Sequence, residues 1–135
     1  MTEPIAIRWW VPPLLALQFL TRIHVPGLGR LTPEQARHGL SRAVIWFPLV
    51  GALVGVITAA VLVGSAHIWP RAIAVIIALA FEARLTGAFH EDAVADFCDA
   101  FGGGHDVEST QRIMKDSRIG SYGALGLVLA VGLRA

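Results

Sequence analysis

The sequence has few charged residues for its length. Asp, Glu, Lys and Arg make up 16% of its 135 residues, whereas soluble proteins average about 25%. Hydrophobic residues reach 55%, so the chain has too little polar surface to cover a soluble globule of this size. This composition excludes intrinsic disorder and favours a membrane protein.

Cysteine and lysine are also scarce. The single cysteine, Cys98, excludes an internal disulfide and a cysteine-based zinc site. Lys115 is the only lysine, the net charge is +1, and no basic run is interleaved with aromatic residues. These absences exclude a dedicated nucleic-acid-binding protein, so we expect no nucleic-acid partner.

A long uncharged run occupies residues 43–64. At about 1.5 Å of helix rise per residue, this run is long enough to cross a hydrocarbon core of about 30 Å. Within it, Gly51 and Gly55 have the G-x-x-x-G spacing that lets membrane helices approach closely. The alternative is that they are simply the small residues that any membrane helix carries.

Two further apolar runs follow. The run at about 72–90 carries Glu82 and Arg84, whose charges are either functional or reach out to the lipid headgroups. The run at 120–133 is typical of the start of a further membrane helix.

The arginines predict how the chain is oriented. Residues 1–42 contain five arginines and two acidic residues, whereas the connection at 65–71 contains one arginine. Positively charged segments stay on the cytoplasmic side, so 1–42 is predicted to be cytoplasmic or interfacial. A second crossing would return residues 90–118 to the cytoplasm. We therefore predict an all-α, polytopic helical bundle in the inner (plasma) membrane.

Acidic residues concentrate in one stretch. Seven of the ten acidic residues lie there: Glu91, Asp92, Asp96, Asp99, Asp106, Glu108 and Asp116. In a helix, Asp92, Asp96 and Asp99 would share a stripe about 60° wide. Their mutual repulsion destabilises a helix unless a cation lies among them, and oxygen ligands suit Mg²⁺, Mn²⁺ or Ca²⁺. The pattern therefore predicts a metal site, with a solvated acidic helix face as the alternative.

Basic residues follow the acidic stripe. Arg112, Lys115 and Arg118 recur at three-residue spacing after the glycines at 102–104. This set suits a pyrophosphate substrate, or it is a positive cluster beside the membrane. Asp116 would either add a metal ligand or orient Arg118.

Four strings resemble the cobalamin synthase family, adenosylcobinamide-GDP ribazoletransferase. They are HEDAVADFCDAFGGG, KDSRIGSYG, LQFLTRIHVPG and SRAVIWFPLVGALVG. The resemblance runs from about residue 17 to the end of the sequence. Proteins of that family continue through further hydrophobic spans, so we expect the chain to be an N-terminal, truncated portion of one membrane-embedded transferase domain.

The resemblance implies a function in the late steps of cobalamin biosynthesis. Such an enzyme joins adenosylcobinamide-GDP to α-ribazole or its 5′-phosphate, releases GMP and uses Mg²⁺. We expect Asp92, Asp96 and Asp99 to hold the metal, and Asp99 or Asp96 to accept the proton of the attacking hydroxyl. The expected substrate-binding residues are His90, Glu91, Arg112, Lys115, Asp116 and Arg118. The partners would be both substrates and the lipid bilayer, and a homo-oligomer is compatible with the sequence.

Two other functions compete with this one. A CDP-alcohol phosphotransferase has a similar multi-Asp motif, but it needs D-G-x-x-A-R, and Asp96 stands where that arginine would be. A cation transporter could use the Asp stripe as an ion pathway, but it would leave the phosphate-site composition of residues 102–118 unexplained. A structural membrane subunit would leave the stripe itself unexplained.

Overall fold

The computed structural model describes residues 7–135, and every regular element in that range is helical. The predicted all-α class is therefore confirmed for these residues, and the first six residues of the predicted segment 1–42 lie outside them. Seven α-helices follow one another: α1 Val11–Leu20, α2 Pro33–Ala43, α3 Phe47–Ala66, α4 Arg71–Thr86, α5 Phe89–Gly103, α6 Val107–Ile113 and α7 Ser121–Arg134. Short 3₁₀ turns at Leu28–Arg30 and Val44–Trp46 precede α2 and α3.

Helices α2 and α3 form one continuous rod. Together with the turn between them they cover Pro33–Ala66, which contains an 18-residue window with a mean hydropathy of 2.3 and is therefore long and apolar enough to cross a membrane. Pro48 lies in the first turn of α3, where a missing N–H does not interrupt the helix. An added Cβ at Gly51 or Gly55 would meet no described atom within 4 Å. Their spacing therefore mediates no close helix contact within residues 7–135.

The predicted run at 72–90 is divided between two helices. Helix α4 ends at Thr86, α5 begins at Phe89, and the axis turns by 90° between them. Gly87 and Ala88 both have positive φ values, 76° and 58°, and they make this turn possible. Glycine adopts such a φ readily, whereas alanine does so at a cost in free energy. The break brings the start of α5 close to the end of α1.

Small residues make up the core between α1, α2 and α3. Ala16, Ala43, Val50 and Val54 are buried together, which lets these helices approach closely. The Phe19 ring stacks on the Phe47 ring, with centroids 5.7 Å apart. It also makes an edge contact with the Phe89 ring, with centroids 5.6 Å apart. These contacts fix the end of α1 against α3 and α5.

Helices α5 and α7 pack as an antiparallel pair, with α6 between them in sequence. Gly126 of α7 packs so closely on Cys98 that an added Cβ would collide with the Cys98 sulfur. At the opposite end of the pair, Arg134 contacts Glu91 near the start of α5. The pair therefore runs the length of α5 and places the Asp99 end of the acidic stripe beside the N-terminus of α7.

Candidate functional site

The three aspartates of the predicted stripe all lie on α5, but they differ in burial. Asp92 is exposed, Asp96 is partly buried, and Asp99 is buried with 9% of its surface exposed. Asp99 is buried because it packs against Gly120 and Gly123 at the start of α7. The three carboxylates therefore have different surroundings despite their shared spacing.

Asp99 caps α7 from a neighbouring helix. Its two carboxylate oxygens accept hydrogen bonds from the backbone N–H groups of Gly120 and Gly123, at 2.6 and 2.7 Å. These N–H groups lie at the start of α7, where helix donors lack partners and the helix dipole attracts negative charge. A Cβ added at either glycine would collide with the Asp99 carboxyl group. The Asp99 carboxylate therefore holds the start of α7 against α5 through these two hydrogen bonds.

The structure does not assemble the predicted three-carboxylate cluster. Among residues 7–135, no group of three or more His, Cys, Asp or Glu side chains lies close enough to hold a metal ion. Both oxygens of Asp99 instead accept hydrogen bonds from α7. Asp92 and Asp96 remain on successive turns of α5. This pair still suits Mg²⁺, which proteins bind through one or two carboxylates together with substrate phosphates.

Two open cavities adjoin the stripe. One, of about 590 Å³, includes Arg22, the turn at Gly87 and Ala88, and Asp92 in its wall. We call it the Arg22 cavity. The other, of about 420 Å³, includes Asp99, Asp116 and Arg118 in its wall, and we call it the Arg118 cavity. Asp92 and Asp99 therefore face different cavities.

An ion pair within the basic segment, residues 112–118, borders the Arg118 cavity. The guanidinium of Arg118 donates to both carboxylate oxygens of Asp116, with the shortest contact at 2.7 Å, and the backbone N–H of Arg118 donates at 3.1 Å. These hydrogen bonds to Arg118 lower the pKa of Asp116 to about 2. Asp116 therefore holds the Arg118 side chain beside the start of α7.

The other basic residues of this segment are exposed to solvent. Arg112 lies in the last turn of α6, and Lys115 follows that helix. Asp106 caps α6 by accepting a hydrogen bond from the Ser109 backbone N–H at 2.7 Å, and hydrogen bonds to Ser109 lower the pKa of Asp106. Arg112 and Lys115 are therefore accessible to solvent, and no described carboxylate lies within 4.0 Å of either side-chain cation.

His90 and Glu91 begin α5 but do not join the basic segment. The His90 ring makes an edge contact with Phe89, with centroids 5.8 Å apart. Glu91 accepts a hydrogen bond from Arg134 at 2.9 Å, and Arg134 also donates to Glu82 at 2.5 Å. Glu82, which the sequence alone left between a functional and a headgroup role, thus has an ion-pair partner.

The site residues predicted from the sequence do not include Arg22, which lines the Arg22 cavity, or Arg134, which pairs with Glu91. The contact of Arg134 could have been predicted from the sequence, because an arginine at the end of one apolar run and Glu82 inside another both need partners of opposite charge. The position of Arg22 could not have been predicted, since no helical spacing relates it to Asp92, which lies 70 positions further along the chain. Only the folded chain brings Arg22 to the cavity that Asp92 lines.

Comparisons with known proteins agree with one another. A family model described as cobalamin-5-phosphate synthase matches residues 12–135. A protein of Leptothrix cholodnii named adenosylcobinamide-GDP ribazoletransferase is 50% identical over 90% of this chain and 44% of its own length. Proteins with the same name from Shewanella amazonensis and Sinorhizobium medicae are 48% and 45% identical, over 90% and 94% of this chain.

The chain spans about half the length of the curated relatives that it matches. It covers 45% of the Shewanella amazonensis protein and 48% of the Sinorhizobium medicae protein. No solved structure matches the chain.

We predict that Gly123→Ala destabilises the protein whereas Gly132→Ala does not. A methyl group at position 123 collides with Asp99, and overpacking of this kind costs about 1–3 kcal/mol. At position 132 it meets no described atom within 4 Å, and alanine favours a helix over glycine by about 1 kcal/mol. The melting temperatures of both variants are measured by thermal unfolding in detergent micelles. Equal melting temperatures for the two would contradict the close contact at Gly123.

We predict that the Asp116 carboxyl titrates near pH 2. The folded pKa lies below the ordinary 3.8, so the contact with Arg118 is fully present above pH 3.8 and is lost as the pH falls through about 2. Carbon NMR of the labelled carboxyl group measures the midpoint. Arg118→Gln should move the midpoint up toward 3.8, and the control Arg112→Gln should leave it unchanged. A midpoint near 3.8 in the unsubstituted protein would disprove the ion pair.

Proposed function

Because the chain belongs to the cobalamin-5-phosphate synthase family, we propose that it joins adenosylcobinamide-GDP to α-ribazole or α-ribazole 5′-phosphate and releases GMP. The family match over residues 12–135 carries this proposal, since it includes the acidic stripe, the basic segment and both cavities. The named relatives are transferases, which supports an enzyme. The reaction would belong to the late steps of cobalamin biosynthesis.

The proposed reaction is a phosphoryl-group transfer with a hydroxyl nucleophile. An oxygen of the ribazole component forms a bond to the cobinamide-bound phosphorus of the diphosphate, and the bond from that phosphorus to the GMP oxygen breaks. The hydroxyl proton needs an acceptor within hydrogen-bond reach. GMP leaves with the electron pair of the broken bond, so negative charge grows on its phosphate oxygen. Cationic groups around the diphosphate would stabilise that charge.

We assign proton acceptance to Asp96 rather than to Asp99. Asp96 is partly buried, and no described residue donates a hydrogen bond to its carboxylate. Asp99, the first candidate by sequence, already accepts two backbone hydrogen bonds. We propose that Asp99 acts as a positioning residue that keeps α7 and the basic segment in place beside α5.

Mg²⁺ is the proposed cofactor. Asp92 and Asp96 would hold it, because they are the carboxylates of the stripe that lack hydrogen bonds from other described residues. When bound, the ion would neutralise charge on the phosphate oxygens of the substrate. Asp99 would contribute to that site only by fixing the helix pair.

Arg118, Lys115 and Arg112 are proposed to bind phosphate oxygens. Arg118 is held by Asp116 at the rim of the Arg118 cavity, which reduces the entropy lost when a phosphate binds. Lys115 and Arg112 are exposed and add positive charge to the approach. Glu91 and His90, also expected at the substrate, are proposed to act through the packing of α5, since Glu91 is paired with Arg134.

We propose a multi-pass protein of the inner membrane, with the segment 90–118 facing the cytoplasm. The rod Pro33–Ala66 exposes large apolar side chains, among them Leu53, Val56 and Val63, which suit contact with lipid. Positive charges are concentrated in residues 1–42, which supports a cytoplasmic position for that segment. Helix α4 would enter the membrane, and the 90° turn after it would leave α5 on the cytoplasmic side.

We predict that Asp96→Ala lowers GMP release about 100-fold or more, because it removes the proposed base and a metal ligand together. The chain is reconstituted in lipid vesicles with adenosylcobinamide-GDP, α-ribazole and Mg²⁺, and GMP is quantified. Glu108→Ala is the matched control, since Glu108 is an exposed acid on α6 outside the stripe. It should release GMP at the unsubstituted rate.

Absence of GMP, or release that Asp96→Ala leaves unchanged, would contradict the proposed function. Release of CMP when a CDP-alcohol replaces the donor would favour a CDP-alcohol phosphotransferase. Cation flux into the vesicles without any nucleotide would favour a transporter.

A further inference from the structure

We propose that Arg22 binds the phosphate groups of a nucleotide-activated substrate inside the Arg22 cavity. This proposal rests on the proposed function and adds to it a substrate contact from a segment far from the acidic stripe in sequence. The ligand chemistry is that of a nucleoside diphosphate or its ester. The structural basis is the cavity itself, the way the Arg22 side chain is held, and the charges around it.

The Arg22 cavity has the size and lining of a ligand site. Its volume of about 590 Å³ lies within the range of about 300–1,000 Å³ that is typical of small-molecule pockets. Its wall is largely apolar, with Phe19, Phe89, Ala95, Ile119 and Leu127 among its residues. The charged members of the wall are Arg22, Glu91 and Asp92. Arg22 is itself exposed to solvent, so its guanidinium is accessible to an anion.

The backbone of Arg22 is fixed to the break between α4 and α5. Its N–H donates to the Leu85 carbonyl at 2.8 Å. The preceding residue, Thr21, is buried and donates its hydroxyl to the Leu17 carbonyl at 2.6 Å. These two hydrogen bonds hold the residue between the end of α1 and the end of α4.

The side chain of Arg22 lies across Gly87. A Cβ added at Gly87 would lie 3.1 Å from Cγ and 3.2 Å from Cδ of Arg22, so the glycine leaves room for the aliphatic part of the arginine. Gly87 also has a φ of 76°, which favours glycine at this position. An arginine held in this way loses less conformational entropy when it binds an anion.

The Arg22 guanidinium forms no ion pair with a carboxylate among the described residues. No carboxylate of residues 7–135 lies within 4.0 Å of its nitrogen atoms. Glu91, on the same wall, is paired with Arg134 at 2.9 Å. The planar guanidinium can therefore donate two parallel hydrogen bonds to phosphate oxygens. Asp92 also lies in this wall, so the anion and the proposed metal ligand would meet in one cavity.

Direct binding measurements test the contact without depending on turnover. The chain is purified in detergent micelles with Mg²⁺, and its affinity for GDP is measured by calorimetry, with guanosine as the probe that lacks phosphate. We expect Arg22→Gln to weaken GDP binding about tenfold, which corresponds to about 1.4 kcal/mol. Arg22→Lys should recover part of the affinity, since lysine keeps the charge but not the paired donors. Guanosine binding should be equal in all variants.

Arg30→Gln is the matched control. Arg30 is exposed, lies like Arg22 between α1 and α2, and is outside the wall of the Arg22 cavity. Arg30→Gln should therefore change the GDP affinity less than twofold. Equal GDP affinity for Arg22→Gln and the unsubstituted chain would overturn the proposal. An equal loss for Arg30→Gln would also overturn it, because it would indicate a general effect of charge. Arg22→Lys keeps the test decisive if Arg22→Gln fails to fold.

The outcome for Arg22 can be separated from that of the proposed function. In the vesicle assay, Arg22→Gln should raise KM for adenosylcobinamide-GDP more than it lowers kcat. GMP release with unchanged KM in Arg22→Gln would reject the Arg22 contact and leave the proposed function intact. Arg22-dependent GDP binding without any GMP release would support the contact and reject the transferase.

Discussion

The carboxylate of Asp99 lies buried between two helices and accepts two backbone hydrogen bonds from the start of α7. A buried charge without such partners is costly, so the position of α7 depends on this contact. Gly120 and Gly123 are required there because any side chain would displace the carboxylate. Because the start of α7 is fixed there, the antiparallel packing brings Arg134, at the end of α7, to Glu91 and Glu82. One carboxylate thereby sets the geometry of the helix pair.

This contact distinguishes Asp99 from the other two aspartates of the stripe. Asp99 supports the fold through its hydrogen bonds to α7, whereas the carboxylates of Asp92 and Asp96 accept no hydrogen bond from other described residues. The same contact places the basic segment, with its Asp116–Arg118 ion pair, next to the start of α7. In the proposed reaction, Asp99 would therefore affect activity through the position of Arg118, while Asp96 would act on the substrate directly.

Much of the fold could be predicted from local sequence patterns, and the site only in part. The uncharged run at 43–64 predicts a membrane helix because length and hydropathy are local properties, and the rod Pro33–Ala66 contains it. The spacing of Asp92, Asp96 and Asp99 predicts their common helix but not their burial, which depends on where α7 packs. The hydropathy of the run at 72–90 does not predict the 90° turn at Gly87 and Ala88. Arg22 reaches its cavity through contacts distant in sequence, which spacing cannot reveal.

Amide hydrogen exchange at Gly120 and Gly123 tests the role of Asp99 most directly. The first N–H groups of a helix have no partner within the helix, so without the carboxylate they exchange with solvent. In detergent micelles, the account predicts slow exchange of both amides in the unsubstituted chain. It also predicts faster exchange in Asp99→Ala, with little change at Val131 near the end of α7. Fast exchange at both glycines in the unsubstituted chain would contradict it.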